Sequence, residues 1–325
     1  MRRKPKSGLA SSQQSVWFYS DMIEDDPNLD KKSNYHYISE TSMLIDDVQL
    51  MTLPVPRSSG KGYQINLSAS DPKVEGLISG AIETQYDQND LTEAIYEFFQ
   101  QCVGVMMAYG EAGYEIVYFS TGEGAIDSFR LALIPPSAFI VSKNKFKQYV
   151  PLQIAGELHL EKQYIEFTAD NMVFFQLPEY VRAQHAQIME SLAFLGENLF
   201  PNFALENMYK PTIPFSQGDY FLSREIALAK ATQIIGWNAR NYSNEHKFEH
   251  YVWRRQLVFY KFLCKLREAI LHTLNEALTR VGSKMGFTAE LSIAGLPSSG
   301  DVDVALERLH KGDLKTFDEV LKPFS

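Results

Sequence analysis

Cysteine, tryptophan and net positive charge are all scarce in this chain of 325 residues. The 2 cysteines, Cys102 and Cys264, both fall in apolar helical patterns. This excludes a disulfide framework and predicts two buried thiols in a reducing compartment. Because 31 Lys and Arg stand against 40 Asp and Glu, the formal net charge is −9. That balance disfavours a free-standing domain that holds nucleic acid by neutralising phosphates.

Long apolar segments are missing as well. The basic N-terminus is not followed by an apolar core of signal-peptide length, and no apolar run reaches the roughly 18 residues that a membrane-spanning helix needs. We therefore expect a cytosolic protein that is neither secreted nor inserted in a membrane. Aromatic residues are abundant, with 21 Phe and 17 Tyr, and rings in such numbers are expected in the core or at subunit interfaces.

Motifs for nucleotide chemistry are also absent from the sequence. Residues 58–62 (SSGKG) fail as a phosphate-binding loop, because Val55 stands where the first Gly is required and Gly62 where a Ser or Thr would hold magnesium. Gly122 and Gly124 open no helix after their strand, so they are better explained as turn residues than as a dinucleotide motif. The sequence predicts no catalytic residue and no cofactor.

One segment does match a metal-binding pattern. Residues 246–250 (HKFEH) have the H-x-x-E-H spacing, in which two His ligate zinc, Glu acts as base, and Glu307 or Glu319 could supply a third ligand. His, Lys and Glu are also common at this spacing as solvated residues in the first turns of a charged helix. We favour the solvated helix and predict no metal, with a zinc-dependent hydrolase as a minor alternative.

Helical and β signals alternate in the first half of the chain. Asp90 and Glu93 resemble a capping box for a helix that ends at Gly110. Residues 113–119 and 126–134 then predict a β-hairpin, stopped by two prolines. Further short strands are predicted at 147–150, 164–167 and 172–177.

The strongest pattern is one long amphipathic helix from Glu245 to about Val281, without Pro or Gly before Gly282. At about 1.5 Å per residue it would be roughly 55 Å long. Arg255 falls within its apolar stripe, and the other faces carry Arg254, Lys261, Lys265 and Arg267. Helices at 182–199 and 223–240 precede it. Two small helices are predicted after it: one at 302–310, capped by Asp301 and stopped by Gly312, and a second that begins at a capping box near Thr316.

Residues 98–119 (FFQQCVGVMMAYGEAGYEIVYF), followed by the hairpin and LALIPPSAF, resemble the wing domain of bacteriophage portal proteins. These are the ring-forming subunits at the unique capsid vertex. The resemblance implies an α+β fold with a mixed wing domain of short strands, a helical stem and one very long helix. The implied divisions are a mobile N-terminal arm (1–35), the wing (36–181), stem helices with a short clip and tunnel loop (182–244), the long wing helix (245–282) and small crown-side helices (283–325).

The resemblance also implies partners and a place of action. The chain would form a ring of about 12 copies through which double-stranded DNA passes. The ring would bind the major capsid protein, terminase and neck or tail adaptor proteins, without a membrane. It would assemble in the host cytoplasm and reside in the virion. The residues implied to lie near DNA are Arg240, Asn241, Tyr242, Ser243, Asn244 and Lys247.

A non-portal oligomeric scaffold or adaptor is the main alternative, because long helices and apolar interfaces serve any large assembly. It would form an oligomer that is not a ring, or would need a partner protein to be soluble.

Overall fold

A computed structural model gives the architecture of the chain. It describes residues 9–10, 15–16, 39–55, 62–68, 71–82, 90–120, 126–142, 145–198, 217–239 and 249–313. The fold is α+β, as predicted, with small antiparallel sheets and one helix of 37 residues. The helices described are α1 (Ser39–Thr52), α2 (Pro72–Ile82), α3 (Leu91–Tyr109), α4 (Leu152–Glu157), α5 (Glu179–Arg182), α6 (His185–Asn198), α7 (Gln217–Ala231), α8 (Glu249–Met285) and α9 (Ser299–His310). The strands described are β1 (Leu9–Ala10), β2 (Gln64–Leu67), β3 (Glu111–Ser120), β4 (Ser128–Leu133), β5 (Phe139–Ser142), β6 (Lys145–Tyr149), β7 (Tyr164–Phe167), β8 (Met172–Gln176) and β9 (Leu291–Ala294).

The chain divides into two compact units, each made of three segments. Unit 1 comprises Met1–Ser33, Val55–Gln176 and Ala269–Ala294. Unit 2 comprises Asn34–Pro54, Leu177–Glu268 and Gly295–Ser325. The long helix α8 therefore supplies residues to both units. None of the described helices is both long and apolar enough to cross a membrane.

Unit 1 is built around strand β3. The predicted hairpin is confirmed, because β3 pairs with β4 in antiparallel register from Tyr114↔Leu133 to Phe119↔Ser128. On its other edge, β3 pairs with β8 and, near its end, with β1. Strands β5, β6 and β7 form a second sheet, and β2 pairs with β9 in a third. The three short strands predicted after the hairpin are thus present as β6, β7 and β8.

Helix α3 provides the apolar face that covers the hairpin sheet. It begins after Asp90, whose side chain accepts the Thr92 N–H at 2.8 Å, and it ends at Gly110, as predicted. Its buried residues recur every three or four positions, the spacing of one helical face. Phe98 packs against Tyr114 and Phe175 with ring centroids 5.3 and 5.6 Å apart, so aromatic contacts join the helix to two strands.

Unit 2 is helical, and the first part of α8 is its core element. Between Leu257 and Arg267 the buried residues cover a broad arc of the helix rather than one narrow stripe; they are Leu257, Phe259, Tyr260, Phe262, Leu263, Cys264, Leu266 and Arg267. The residues between them that are not buried, among them Val258, Lys261 and Lys265, share the remaining face. A helix with so wide an apolar face is covered on most of its sides. The prediction that Arg267 lies on an outer face is wrong, because only 5% of this residue is exposed.

The C-terminal end of the long helix also differs from the prediction. Gly282 does not stop it, and the helix continues to Met285 before Gly286 adopts a left-handed φ of 79°. A Cβ at Gly282 would lie 2.3 Å from the Phe287 carbonyl oxygen. Gly282 therefore permits the following chain to fold back closely on the helix. A glycine at this position indicates a close approach of two backbone segments and not the end of the helix.

Other helix boundaries also differ from the prediction. The helix predicted at 182–199 is interrupted, since α5 ends at Arg182 and α6 begins at His185. The helix predicted at 223–240 begins earlier, at Gln217, and ends earlier, at Ala231. Residues after Ala231 form a tight turn, and residues 217–222, the end of the clip that the resemblance implied at 200–222, are helical. Residues 200–216 and the second tail helix, near Thr316, lie outside the described residues.

Candidate functional site at the start of the long helix

The residues predicted to lie near DNA, Arg240, Asn241, Tyr242, Ser243, Asn244 and Lys247, all lie outside the described residues. The described chain on either side of them consists of the turn 232–239 and the first turns of α8. We call these two flanks the loop base. Both belong to unit 2, and their side chains can be traced individually.

Arg255 joins the two flanks of the loop base. Its Nη1 donates to the Ala229 carbonyl at 3.0 Å, and its Nη2 donates to Thr232 Oγ1 at 3.0 Å and to the Trp237 carbonyl. The carbonyls at the end of α7 have no partner within their own helix, so a cation from another element satisfies them and complements the helix dipole. One guanidinium thus fixes the end of α7 and the following turn to the first turns of α8.

Gly236 brings the turn against the backbone of the long helix. Its φ is 74°, in the left-handed region that favours glycine, and a Cβ there would lie 2.5 Å from the Arg255 carbonyl oxygen and 2.7 Å from the Phe259 nitrogen. No side chain fits in this space. The turn is therefore held by a backbone-to-backbone approach as well as by hydrogen bonds.

Trp237 anchors the same turn from the side of α1. The indole is fully buried and its Nε1–H donates to Asp47 Oδ2 at 2.8 Å. Helix α1 is tied to α7 a second time, because Arg224 forms an ion pair with the buried carboxylate of Glu40. A buried indole with its polar atom satisfied leaves the turn few alternative positions.

Helix α9 runs antiparallel to the first half of the long helix. Glu268 accepts both the N–H and the hydroxyl of Ser299 at 2.7 Å, Lys261 pairs with Asp303, and a ring nitrogen of His250 lies 3.3 Å from the Leu309 carbonyl. Along these three contacts, the residue numbers in α9 increase while the residue numbers in α8 decrease. The C-terminal end of α9 therefore lies beside the first turn of α8, next to the loop base.

The predicted N-cap of α9 shifts by three residues. Ser298 is the cap, and Asp301 completes a capping box by accepting the Ser298 N–H at 2.8 Å. The bonds from the Ser298 side chain and backbone lower the pKa of Asp301. The predicted stop at Gly312 is confirmed by its left-handed φ of 86°.

Arg267 fastens the connection into α9. Its Nη1 donates to the Thr52 carbonyl at 3.2 Å and its Nη2 donates to the Pro297 carbonyl. The thiol of Cys264 also donates to Pro297, at 3.2 Å, and burial raises the pKa of this thiol. A buried guanidinium surrounded by carbonyl oxygens links three separate segments of unit 2.

The zinc pattern is not assembled among the described residues. No three His, Cys, Asp or Glu side chains within the described ranges come together as a metal site requires, and His246 and Glu319 lie outside those ranges. A carbonyl oxygen only accepts hydrogen bonds, so the Nε2 of His250 must carry a proton to bond Leu309. That nitrogen is then unable to ligate a metal.

A surface cavity of about 540 Å³ lies beside the first turns of α8 in unit 2. Its lining includes the side chains of His250, Arg254, Glu307, His310 and Lys311. These groups carry charges of both signs, so the cavity selects no single class of charged ligand. Glu307, the candidate third zinc ligand, lines the same cavity as His250 without forming a metal cluster with it.

Sequence reasoning missed the two arginines that organise this region. The helical spacing places Arg255 within the apolar stripe of the predicted helix and Arg267 on one of its other faces. The detectable signal is an arginine three or four positions from large apolar residues on both sides, which places its stem in the core. The carbonyls that such an arginine binds are set by tertiary contacts and have no sequence signature.

Comparisons with known proteins give no family assignment. No family model matches the chain, and no curated protein matches it. Among solved structures, a chain from the neck of an empty GTA particle computed with C6 symmetry has a TM-score of 0.46 at 10% identity, covering 94% of this chain and 93% of that one. A chain from the virion of a native gene transfer agent (GTA) particle has a TM-score of 0.46 at 10% identity, covering 93% and 91%. A chain from the neck of a native GTA particle computed with C12 symmetry has a TM-score of 0.45 at 11% identity, covering 96% of both chains. TM-scores below 0.5 do not establish a common fold, so the function proposed below depends on this chain's own residues.

Proposed function

We propose that the chain is a structural, non-enzymatic portal subunit that forms a ring at a capsid vertex. The ring provides the channel for DNA packaging and ejection and binds terminase and the neck or tail adaptor proteins. It acts in the virion after assembly in the host cytoplasm. Residues 241–244 are the proposed tunnel loop, with Arg240, Asn244 and Lys247 among the groups that approach the duplex.

The observation that carries this proposal is the loop base. A loop that lines a channel must hold its position while DNA moves past it, so both of its flanks need a rigid support. In this chain Arg255 and Gly236 fix the incoming flank to α8, whose first turns are the outgoing flank, and Trp237 fixes the incoming flank to α1. Arrangements of this kind restrict a loop by its two ends without using the loop's own side chains.

The order of elements gives independent support. The hairpin sheet is followed by the short helix α5, the helices α6 and α7, a turn, one helix of 37 residues and the small helix α9, which agrees with the order that the portal resemblance implies. The net charge of −9 also suits a channel, because walls of like charge let a duplex slide without sticking.

A closed ring also needs a surface that binds the next copy. The many aromatic side chains contribute little to such a surface, since most of those among the described residues are in the core. The exposed apolar side chains are mainly aliphatic, and Leu152 on α4 is the most exposed of them at 72%. A heterologous contact can use such a side chain on one copy against a different surface of the next.

Imaging of the purified full-length chain tests the proposal. We expect negative-stain images and mass photometry to show a closed ring of about a dozen copies of the 37.0 kDa chain with a central hole. A persistent monomer or dimer at micromolar concentration would exclude a portal. A non-ring oligomer would instead support the scaffold or adaptor alternative.

A matched pair of variants asks whether α4 contributes to the ring contact. Leu152→Glu places a charge on the exposed apolar position, whereas Gln153→Glu places the same charge on its exposed polar neighbour. If α4 lies in the contact, only Leu152→Glu lowers the ring fraction, while circular dichroism shows that both variants keep the fold. Equal ring fractions would locate the contact elsewhere.

A further inference from the structure

The sheet β5–β6–β7 of unit 1 has two chemically different faces. One face packs into an apolar cluster, to which these strands contribute Phe139, Val141, Phe146, Ile165 and Phe167. Successive side chains on a strand point to opposite faces, and the register pairs Ile140 with Lys147 and Lys147 with Glu166. The second face therefore carries Ile140, Ser142, Lys145, Lys147, Tyr149, Tyr164 and Glu166. We call this second face, together with Lys162 just before β7, the lysine face.

The position of the lysines in the sheet excludes a common explanation for them. Lysines that prevent unwanted strand pairing lie on edge strands. Lys145 and Lys147 instead lie on β6, which pairs with β5 on one side and with β7 on the other. Because both edges of β6 are already paired, protection of an edge does not account for these two residues.

The ammonium groups of the lysine face converge on one aromatic ring. The Lys147 Nζ lies 4.4 Å from the centre of the Tyr164 ring, and the Lys162 Nζ lies 5.6 Å from it. Each cation is attracted to the ring, but the two cations repel each other. A bound anion would reduce that repulsion, because it attracts both ammonium groups at once.

Glu166 is the carboxylate of the lysine face, and three lysines act on it. It forms an ion pair with Lys147 at 2.9 Å. This hydrogen bond is the main reason that the pKa of Glu166 is lowered, and the charges of Lys145 and Lys162 lower the pKa further. One carboxylate therefore faces three ammonium groups, which leaves an excess of positive charge on the lysine face.

The chemistry of the lysine face favours phosphate over carboxylate as the anion. The ammonium of lysine is a compact point charge that binds phosphate, whereas bidentate recognition of carboxylates favours the planar fork of arginine. All three cations here are lysines. Tyr164 and Ile140 lie among them and are each 38% exposed. Basic side chains clustered on one face, with an exposed aromatic ring among them, are typical of nucleic-acid-binding surfaces.

We propose that the lysine face binds the phosphate backbone of double-stranded DNA through Lys145, Lys147 and Lys162. This contact belongs to unit 1, whereas the proposed tunnel loop belongs to unit 2, and it does not require a ring. Three phosphate contacts give a weak, sequence-independent attachment that depends on salt. The net charge of −9 does not prevent it, because charges more than about 8 Å away are largely screened at physiological salt.

The test measures binding of the full-length chain to a fluorescein-labelled duplex of about 30 base pairs by fluorescence anisotropy, over a series of salt concentrations. Replacing Lys145, Lys147 and Lys162 together with Gln should make the plot of log K against log salt shallower by about 3. Circular dichroism checks that the variant keeps its fold. An unchanged slope, or no binding by the unaltered chain at low salt, would overturn the proposal.

Single substitutions provide the matched control. Lys145→Gln should make the slope shallower by about 1, because one phosphate contact is lost. Lys73→Gln makes the same chemical change at an exposed position of α2, which packs against α3 and β4, and should leave the slope unchanged. Equal effects of the two changes would show that DNA responds to the overall charge of the chain and not to the lysine face.

Glu166→Gln separates a binding face from a merely solvated one. Removing this carboxylate takes away a negative charge close to the bound phosphates, so the affinity for DNA should rise about fivefold at low salt. The control Glu75→Gln, at an exposed position of α2, should leave the affinity unchanged. An affinity that does not rise in Glu166→Gln would contradict phosphate binding beside this residue.

A competition experiment identifies the class of polyanion. Poly-glutamate at the same concentration of charge should displace the duplex poorly. Displacement as effective as that by unlabelled DNA would overturn the proposal in favour of an acidic protein partner. The outcome is independent of the ring, since a chain that binds DNA through the lysine face without forming rings would overturn only the portal function.

Discussion

Gly236→Ala is the substitution that most directly tests the loop base. The change adds one methyl group at a residue whose φ is 74°. The left-handed conformation alone costs a non-glycine residue about 1–2 kcal/mol. The added Cβ would also lie 2.5 Å from the Arg255 carbonyl oxygen and 2.7 Å from the Phe259 nitrogen, distances that real Cβ atoms do not tolerate.

The overlap is with backbone, so no flexible side chain can move aside. The turn must separate from the long helix, which lengthens the Arg255 bonds, each worth about 1 kcal/mol. We therefore expect Gly236→Ala to lower the free energy of unfolding by about 3–5 kcal/mol in total. Losses of this size are unusual for a single methyl group.

Gly312→Ala is the matched control. Gly312 also belongs to unit 2 and has a φ of 86°, but nothing lies within 4 Å of its ideal Cβ. Its expected loss is the conformational cost alone, about 1–2 kcal/mol. Urea unfolding followed by tryptophan fluorescence measures both losses, since the neighbouring Trp237 is buried. Equal losses in the two variants, at unchanged denaturant slopes, would refute the argument that the close approach fixes the turn.

Three further predictions concern the same helix and the two thiols. Arg255→Lys should lower the free energy of unfolding by about 2 kcal/mol, because a single ammonium cannot reproduce the planar fork, whereas the exposed Arg254→Lys should change it by under about 0.5 kcal/mol; similar values would contradict the assigned role. Gly282→Ala should destabilise unit 1 despite alanine's better helix propensity, because the new Cβ meets a backbone oxygen at 2.3 Å, and a stabilised variant in thermal melts would show that the approach is wrong. Cys102 and Cys264 should be unreactive towards Ellman's reagent at pH 8, because burial raises the pKa of both thiols, and two equivalents should react only in denaturant; rapid reaction of the native chain would contradict their burial.

Local patterns in the sequence were sufficient for elements whose signals come from near neighbours. Asp90 and Gly110 mark the ends of α3 through a cap and a left-handed residue, and both marks depend only on adjacent backbone. The hairpin follows from two β-rich runs separated by a Gly-rich turn. In each case the physical determinant lies within a few residues of the feature it sets.

Tertiary contacts decided the features that the sequence did not predict. The last turn of α7 is held by Arg255, which lies well after it in sequence and donates to the Ala229 carbonyl. Gly282 lies inside α8 because its missing side chain gives room to the returning chain. The sequence alone does not distinguish Asp301 from Ser298 as the cap, because a capping box has acceptor side chains at both of its ends. The loop base, the most informative part of the candidate site, depends on such contacts throughout.

The burial of the long helix changes where a subunit contact can lie. The sequence alone allows the apolar stripe of this helix to form the interface between neighbouring subunits of a ring. In the structure, Phe262, Leu263 and Leu266 are 0% exposed, so their area is already removed from water within one chain. Burying the same surface against a second copy would first require unit 2 to open, with loss of its own core. A ring of folded subunits must therefore use other surfaces, and the exposed Leu152 position on α4 satisfies that requirement without unfolding any part of the chain.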